Sequence, residues 1–95
     1  MIHARKDHNR IQDPAVDDPK LISSGSSPIG KDEPVFLIRA KDVSAPAAVE
    51  EWAKINLKNG GDQAASAMAF THAAKMRDWQ RKNGCKPADV PDSEF

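Results

Sequence analysis

Polar and apolar positions obey different rules in the two halves of the chain. Over residues 1–33 prolines stand at 14, 19 and 28, glycines at 25 and 30, and serines at 23, 24, 26 and 27. No apolar run in that stretch keeps a helical or strand period. Ile11, Val16, Leu21, Ile22 and Ile29 are nevertheless spaced like the anchors of a loop pinned to something. The pattern predicts an ordered but irregular arm over 1–31.

Asp32-Glu33-Pro34 reads as a helix start, with a capping aspartate, a glutamate at the positive end of the dipole and a proline in the first turn. The apolar run Val35-Phe36-Leu37-Ile38 suits a short buried strand equally well, but no second strand candidate offers it a partner. A short helix over 32–42 is therefore expected. Ser44-Ala45-Pro46 opens the next helix, expected over 44–59 with Ser44 as its cap, and Asn59-Gly60-Gly61 closes it. Val49, Trp52 and Ala53, with Ala48 and Ile55 beside them, make one broad apolar face.

Asp62 caps the last helix, expected over 62–83, before Asn83-Gly84 and Pro87. Ala65, Met68, His72, Met76 and Trp79 share one side of it, with His72 expected on the seam between the helices. A link as short as Asn59 to Asp62 forces the two helices to lie antiparallel. Six alanines fall between residues 64 and 74, and Ala47 and Ala48 lie on the other helix. That is more small side chains than one two-helix seam needs, which predicts packing against further copies. Residues 84–95 form a tail ending in Asp89, Asp92 and Glu94, expected to be mobile. The fold class expected is all-α, a single domain assembling as a homo-oligomer.

Composition narrows the function. Ninety-five residues support one domain at most. Fourteen basic and fourteen acidic side chains cancel, so no global field holds a long nucleic acid or an anionic membrane. The longest apolar run, 35–38, is far short of the roughly twenty residues of a membrane span. The opening MIHARKDHNR carries charge where a secretory signal is apolar, and the one cysteine, Cys85, has no partner for a disulfide. A cytoplasmic protein is expected.

Catalytic signatures are missing: the histidines, Cys85 and the serines fall in no nucleophile-elbow or metal-binding spacing. No enzyme activity and no cofactor are expected. Gly30-Lys31 resembles part of a phosphate loop, but Asp32 stands where a magnesium-binding hydroxyl would be required. Backbone N–H groups and Lys31 still suit a phosphate there, and a solvated turn is the alternative. His3, Arg5, Lys6, His8 and Arg10 cluster at the start, and Lys75, Arg77, Arg81, Lys82 and Lys86 near the end of the last helix. The second cluster also satisfies the helix dipole, whereas arginines in the first have no dipole to serve and suit phosphate oxygens.

The segments HNRIQDP at 8–14 and GKDEPVFLIRAKD at 30–42, followed by a Trp-bearing, Ala-rich hairpin, resemble small phage proteins of the anti-CBASS sponge family. The likeness covers about Asn9 to Trp79. It implies an immune-evasion protein that binds cyclic oligonucleotide second messengers without cleaving them, in the cytoplasm of an infected bacterium. It further implies a hexamer with cyclic dinucleotides of the cGAMP type between protomers and cyclic trinucleotides held elsewhere. In that family an aromatic near the arm stacks on a base and a lysine meets the phosphates. This chain has no tyrosine, and His8 stands in the aromatic's place. The stretch 15–29 is longer than the family pattern, so the lysine role falls on Lys20 or Lys31. His8, Arg10, Lys20, Ser26, Ser27 and Lys31 are the candidate ligand-binding residues, supplying cations, hydroxyl donors and a flat ring. The alternative is a protein-interaction module whose hairpin inhibits a host protein.

Overall fold

The computed structural model describes residues 1–23 and 25–89. They fall into two compact units, 1–37 and 38–89. The tail expected over 84–95 lies partly outside the described residues, from 90 onward.

The first unit is the arm, and it is ordered by short turns. Three 3-10 turns, Lys6–His8, Pro14–Val16 and Pro19–Leu21, follow one another. Asp13 and Asp18 precede the two prolines and accept the backbone N–H groups of Ala15 (3.0 Å) and Lys20 (3.3 Å). An aspartate ahead of a proline that fixes φ is a compact way to start a turn. The second Asp13 oxygen takes the N–H of Ile29 at 2.7 Å, tying together positions sixteen residues apart.

The short helix expected over 32–42 is not formed. Glu33 N–H closes a turn onto Gly30 C=O at 3.2 Å, and Pro34–Val35 is a two-residue strand, β2. Its partner is β1, Ile2–His3, running parallel with Ile2 opposite Pro34 and His3 opposite Val35. Proline disfavours the helical region for the residue before it, so Glu33 goes into a turn instead of a first helical turn. Pro34 stands first in its strand, where a missing N–H is tolerated. The described chain is thus mainly helical, with one short parallel strand pair.

The second unit is an α-helical hairpin of α1, Ala45–Lys58, and α2, Gln63–Asn83. Asp62 caps α2 as expected, its carboxylate accepting Ala64 N–H at 2.7 Å. Ser44 makes no side-chain cap on α1; Asp42 accepts the Ser44 N–H at 2.9 Å and orders the entry in its place. At the far end of α1, Gly60 N–H bonds Leu57 C=O (3.1 Å) and Gly61 N–H bonds Asn56 C=O (2.8 Å). These paired bonds terminate the helix with Gly60 at φ +75°, a value that favours glycine. A Cβ on Gly61 would land on the Asn56 side chain.

Packing selects a different face from the one the apolar residues mark. Ala45, Ala53, Ser66 and Ala73 are fully or almost fully buried, and Val49, Asn56, Ala69, Met76 and Gln80 are half-buried beside them. On α2 the inward row 66, 69, 73, 76, 80 keeps the three-four alternation of a close antiparallel seam. Met68 is 72% exposed and His72 is exposed, so neither lies on the seam. The reason is steric: alanine and serine let the helix axes approach, and larger side chains one position round are turned outward. Ser66 Oγ donates to Ala53 C=O (3.0 Å) and accepts from Asn56 Nδ2 (2.9 Å), which satisfies the one buried hydroxyl of the seam. Across the other end, Arg77 grips Glu50 through two 2.6 Å bonds.

Candidate functional site

Within the arm, the six residues expected to bind ligand are not gathered at one cleft. His8 is only 7% exposed, its ring edge-on to His3 at 5.9 Å between centroids. The ring expected to stack on a base packs against His3 in the arm and presents little surface. His3 Nε2 donates to Ile11 C=O at 2.7 Å, and because a carbonyl only accepts, this nitrogen carries the proton. Its Nδ1 is buried with no hydrogen-bond partner among the described residues.

Arg10, Lys20, Ser26 and Ser27 are exposed. Lys20 rides on the third 3-10 turn, and Ser26 N–H bonds Ser23 C=O at 3.0 Å beyond Gly25, whose φ of +82° turns the chain. Lys31 pairs with Asp17 at 3.2 Å on the surface. Of the six, Lys31 alone lines the small cleft of about 220 Å³ formed with Met1, Gln12, Asp13, Val16, Asp17 and Ile29. The two carboxylates there, Asp13 and Asp17, face two cations, the Met1 ammonium and Lys31, so the cleft has no excess of either charge. The Asp13 carboxyl is held below its ordinary range by the N–H groups of Ile29 and Ala15, and that of Asp7 by the Arg5 guanidinium.

The second unit carries a larger concavity that the sequence reading did not assemble. An open cleft of about 570 Å³ lies at the Asn83 end of α2, lined by Arg39, Lys41, Trp79, Asn83, Gly84, Cys85 and Lys86. Lys86 belonged to a recognised charge cluster, but Arg39 and Lys41 sit more than forty residues away in sequence. Backbone bonds bring the segments together: Lys86 N–H to Lys41 C=O and Val43 N–H to Lys86 C=O, both 3.0 Å. Gln80 Nε2 donates to Ala40 C=O (2.9 Å) and Asp42 C=O (3.0 Å), fixing the turn that bears both cations. In the sequence Arg39 and Lys41 merely flank Ala40, and that spacing says nothing of Trp79 or Lys86.

No metal-binding group of three or more His, Cys, Asp or Glu occurs among the described residues. No helix among them is long and apolar enough to cross a membrane. Comparison with family models, with curated proteins and with solved structures returns no match.

Proposed function

We propose that this protein is a non-catalytic binder that associates with copies of itself and sequesters cyclic oligonucleotide messengers in the cytoplasm of a phage-infected bacterium. The observation that carries the reading is the outward placement of large apolar side chains on the hairpin. Trp52 is 51% and Met68 72% exposed, and Ile55, Leu57 and Phe70 are open as well. The seam consumes alanines, so these side chains remain to be covered, and burial of apolar area is the main drive to association. A multi-copy assembly, hexameric in the family the sequence resembles, also multiplies interfacial sites, as stoichiometric capture requires. Exposed Arg10 and Lys20 on the arm supply cations for a doubly anionic ring, with Ser26 and Ser27 as hydroxyl donors.

Light scattering combined with thermal melting against cyclic di- and trinucleotides tests both halves of the reading. Ligand at one hundred times its dissociation constant stabilises the folded state by about 2.7 kcal/mol. The nucleotide is expected back intact after denaturation of the complex. Arg10→Ala and Lys20→Ala are expected to weaken capture with helicity retained. The same apolar surface also supports a second reading, a hairpin that docks on a host protein. Melting curves unmoved by every cyclic nucleotide would favour that reading.

A further inference from the structure

The cleft at the end of α2 combines features that the proposed arm site does not use. Among the described residues its lining holds three cations, Arg39, Lys41 and Lys86, and no acidic side chain. Lys86 also meets Asp89 at 3.1 Å on the surface. Among the described residues neither Arg39 nor Lys41 has a carboxylate partner within ion-pair distance. In a chain whose formal charges cancel, neighbouring cations left without counter-ions are an anion site in waiting.

Beside them stands Trp79, 42% exposed, offering a flat apolar ring at the same cleft. Asn83 Nδ2 donates to Trp79 C=O at 3.0 Å. The walls are fixed in advance by the Gln80 carboxamide bonds and the two backbone bonds between 41–43 and Lys86, so little order is lost when a ligand enters. A volume of about 570 Å³ falls in the range that small-molecule sites occupy. Cations for phosphate oxygens and an indole for a planar base are the two halves of nucleotide recognition.

We infer that the Arg39, Lys41, Lys86 and Trp79 cleft binds a free nucleoside monophosphate, with its base on the Trp79 indole and its phosphate between Arg39 and Lys41. Every residue named for the site belongs to the second unit of a single chain. Full-length protein carrying Trp52→Phe leaves Trp79 as the one indole reporter, because the chain has two tryptophans. The single cysteine, Cys85, lines the cleft and gives a second readout through its rate of alkylation by iodoacetamide.

Titration with AMP or GMP is expected to quench Trp79 saturably and to slow Cys85 alkylation over the same concentration range. Arg39→Ala and Lys41→Ala should each raise the dissociation constant about tenfold, the effect of one lost charge-assisted hydrogen bond. Both side chains are exposed, so melting without nucleotide should be unchanged. Adenosine alone and inorganic phosphate alone should each bind more weakly than the nucleotide.

Arg10→Ala should leave this binding intact, which separates the site from cyclic-oligonucleotide capture. Absence of saturable quenching and of Cys85 protection up to several times about 1 mM, the weak end of specific binding, would overturn the inference. So would equal affinity for phosphate alone, which would make the base irrelevant. Much tighter binding of a 5′-phosphorylated oligoribonucleotide would also overturn it, because the ligand would then be a strand end.

Discussion

The arm and the hairpin reach order by opposite means. In the hairpin, shape decides: fully buried alanines on both helices let the axes come near, and a single hydroxyl, Ser66, is satisfied within the seam. Among the described residues of the arm, Ala15 and His8 are the only buried ones, and the chain is held by aspartates accepting backbone N–H groups and by a two-residue strand pair. A steric seam answers to side-chain volume and is indifferent to acid. A carboxylate framework answers to protonation and is indifferent to volume.

The sharpest way to break this contrast is to enlarge the seam. Ala73→Leu puts three extra carbons at a position with no exposed surface and is expected to destabilise the hairpin by about 1–3 kcal/mol. Calorimetry would register it as a fall of roughly 4–8 °C in Tm per kcal/mol for a chain of this size. An unchanged Tm would mean that the helices can separate freely and that the alanine seam is not what sets their spacing.

A smaller loss, about 1 kcal/mol, is expected for Ser66→Ala, which removes the donor to Ala53 C=O and the acceptor for Asn56 Nδ2. Asn56 retains its bond to Asp62 C=O at 3.2 Å, and this limits the damage. Paired with Asn56→Ala in a double-mutant cycle, the two changes should fall well short of additivity.

Acid should act on the other side of the comparison. Asp7 and Asp13 have folded pKa values below their ordinary range, so their contribution to stability is present above that range and is lost as pH falls through the depressed folded values. Glu50, lowered by Arg77, follows the same direction, but its loss leaves the alanine seam intact. Below the ordinary carboxylate range, the protection of the Ile29 amide relative to its intrinsic exchange rate at that pH should therefore fall, while the α2 amides around Ala73 keep theirs. Asp13→Asn should reproduce the Ile29 effect at neutral pH, since one amide oxygen cannot replace both carboxylate oxygens. If acid exposed α2 first, the division of labour described above would be wrong.

What could be read from the chain alone follows the same division. The Asn59 to Asp62 link, the Asp62 cap and the proline near the start of α1 are encoded within a few neighbouring residues, and each is where local chemistry puts it. The β1–β2 pair was not legible, because strands of two residues have no period and their partners stand more than thirty positions apart. The inward face of α2 was misjudged for a related reason. Met68, His72 and Trp79 mark the apolar stripe, whereas the close approach belongs to Ser66, Ala69 and Ala73, whose merit is being small. Of the candidate site, the exposed cations of the arm were foreseeable. The meeting of Arg39 and Lys41 with Trp79 and Lys86 depends on tertiary bonds that no spacing announces.

The Gln80 carboxamide spends both hydrogens of one nitrogen on carbonyls two residues apart, those of Ala40 and Asp42. Such a fork tolerates no half-measures in alignment. Adding or deleting a single residue between positions 39 and 43 would dislodge both prongs together, so natural variation in the length of that bend should be far rarer than variation in its composition.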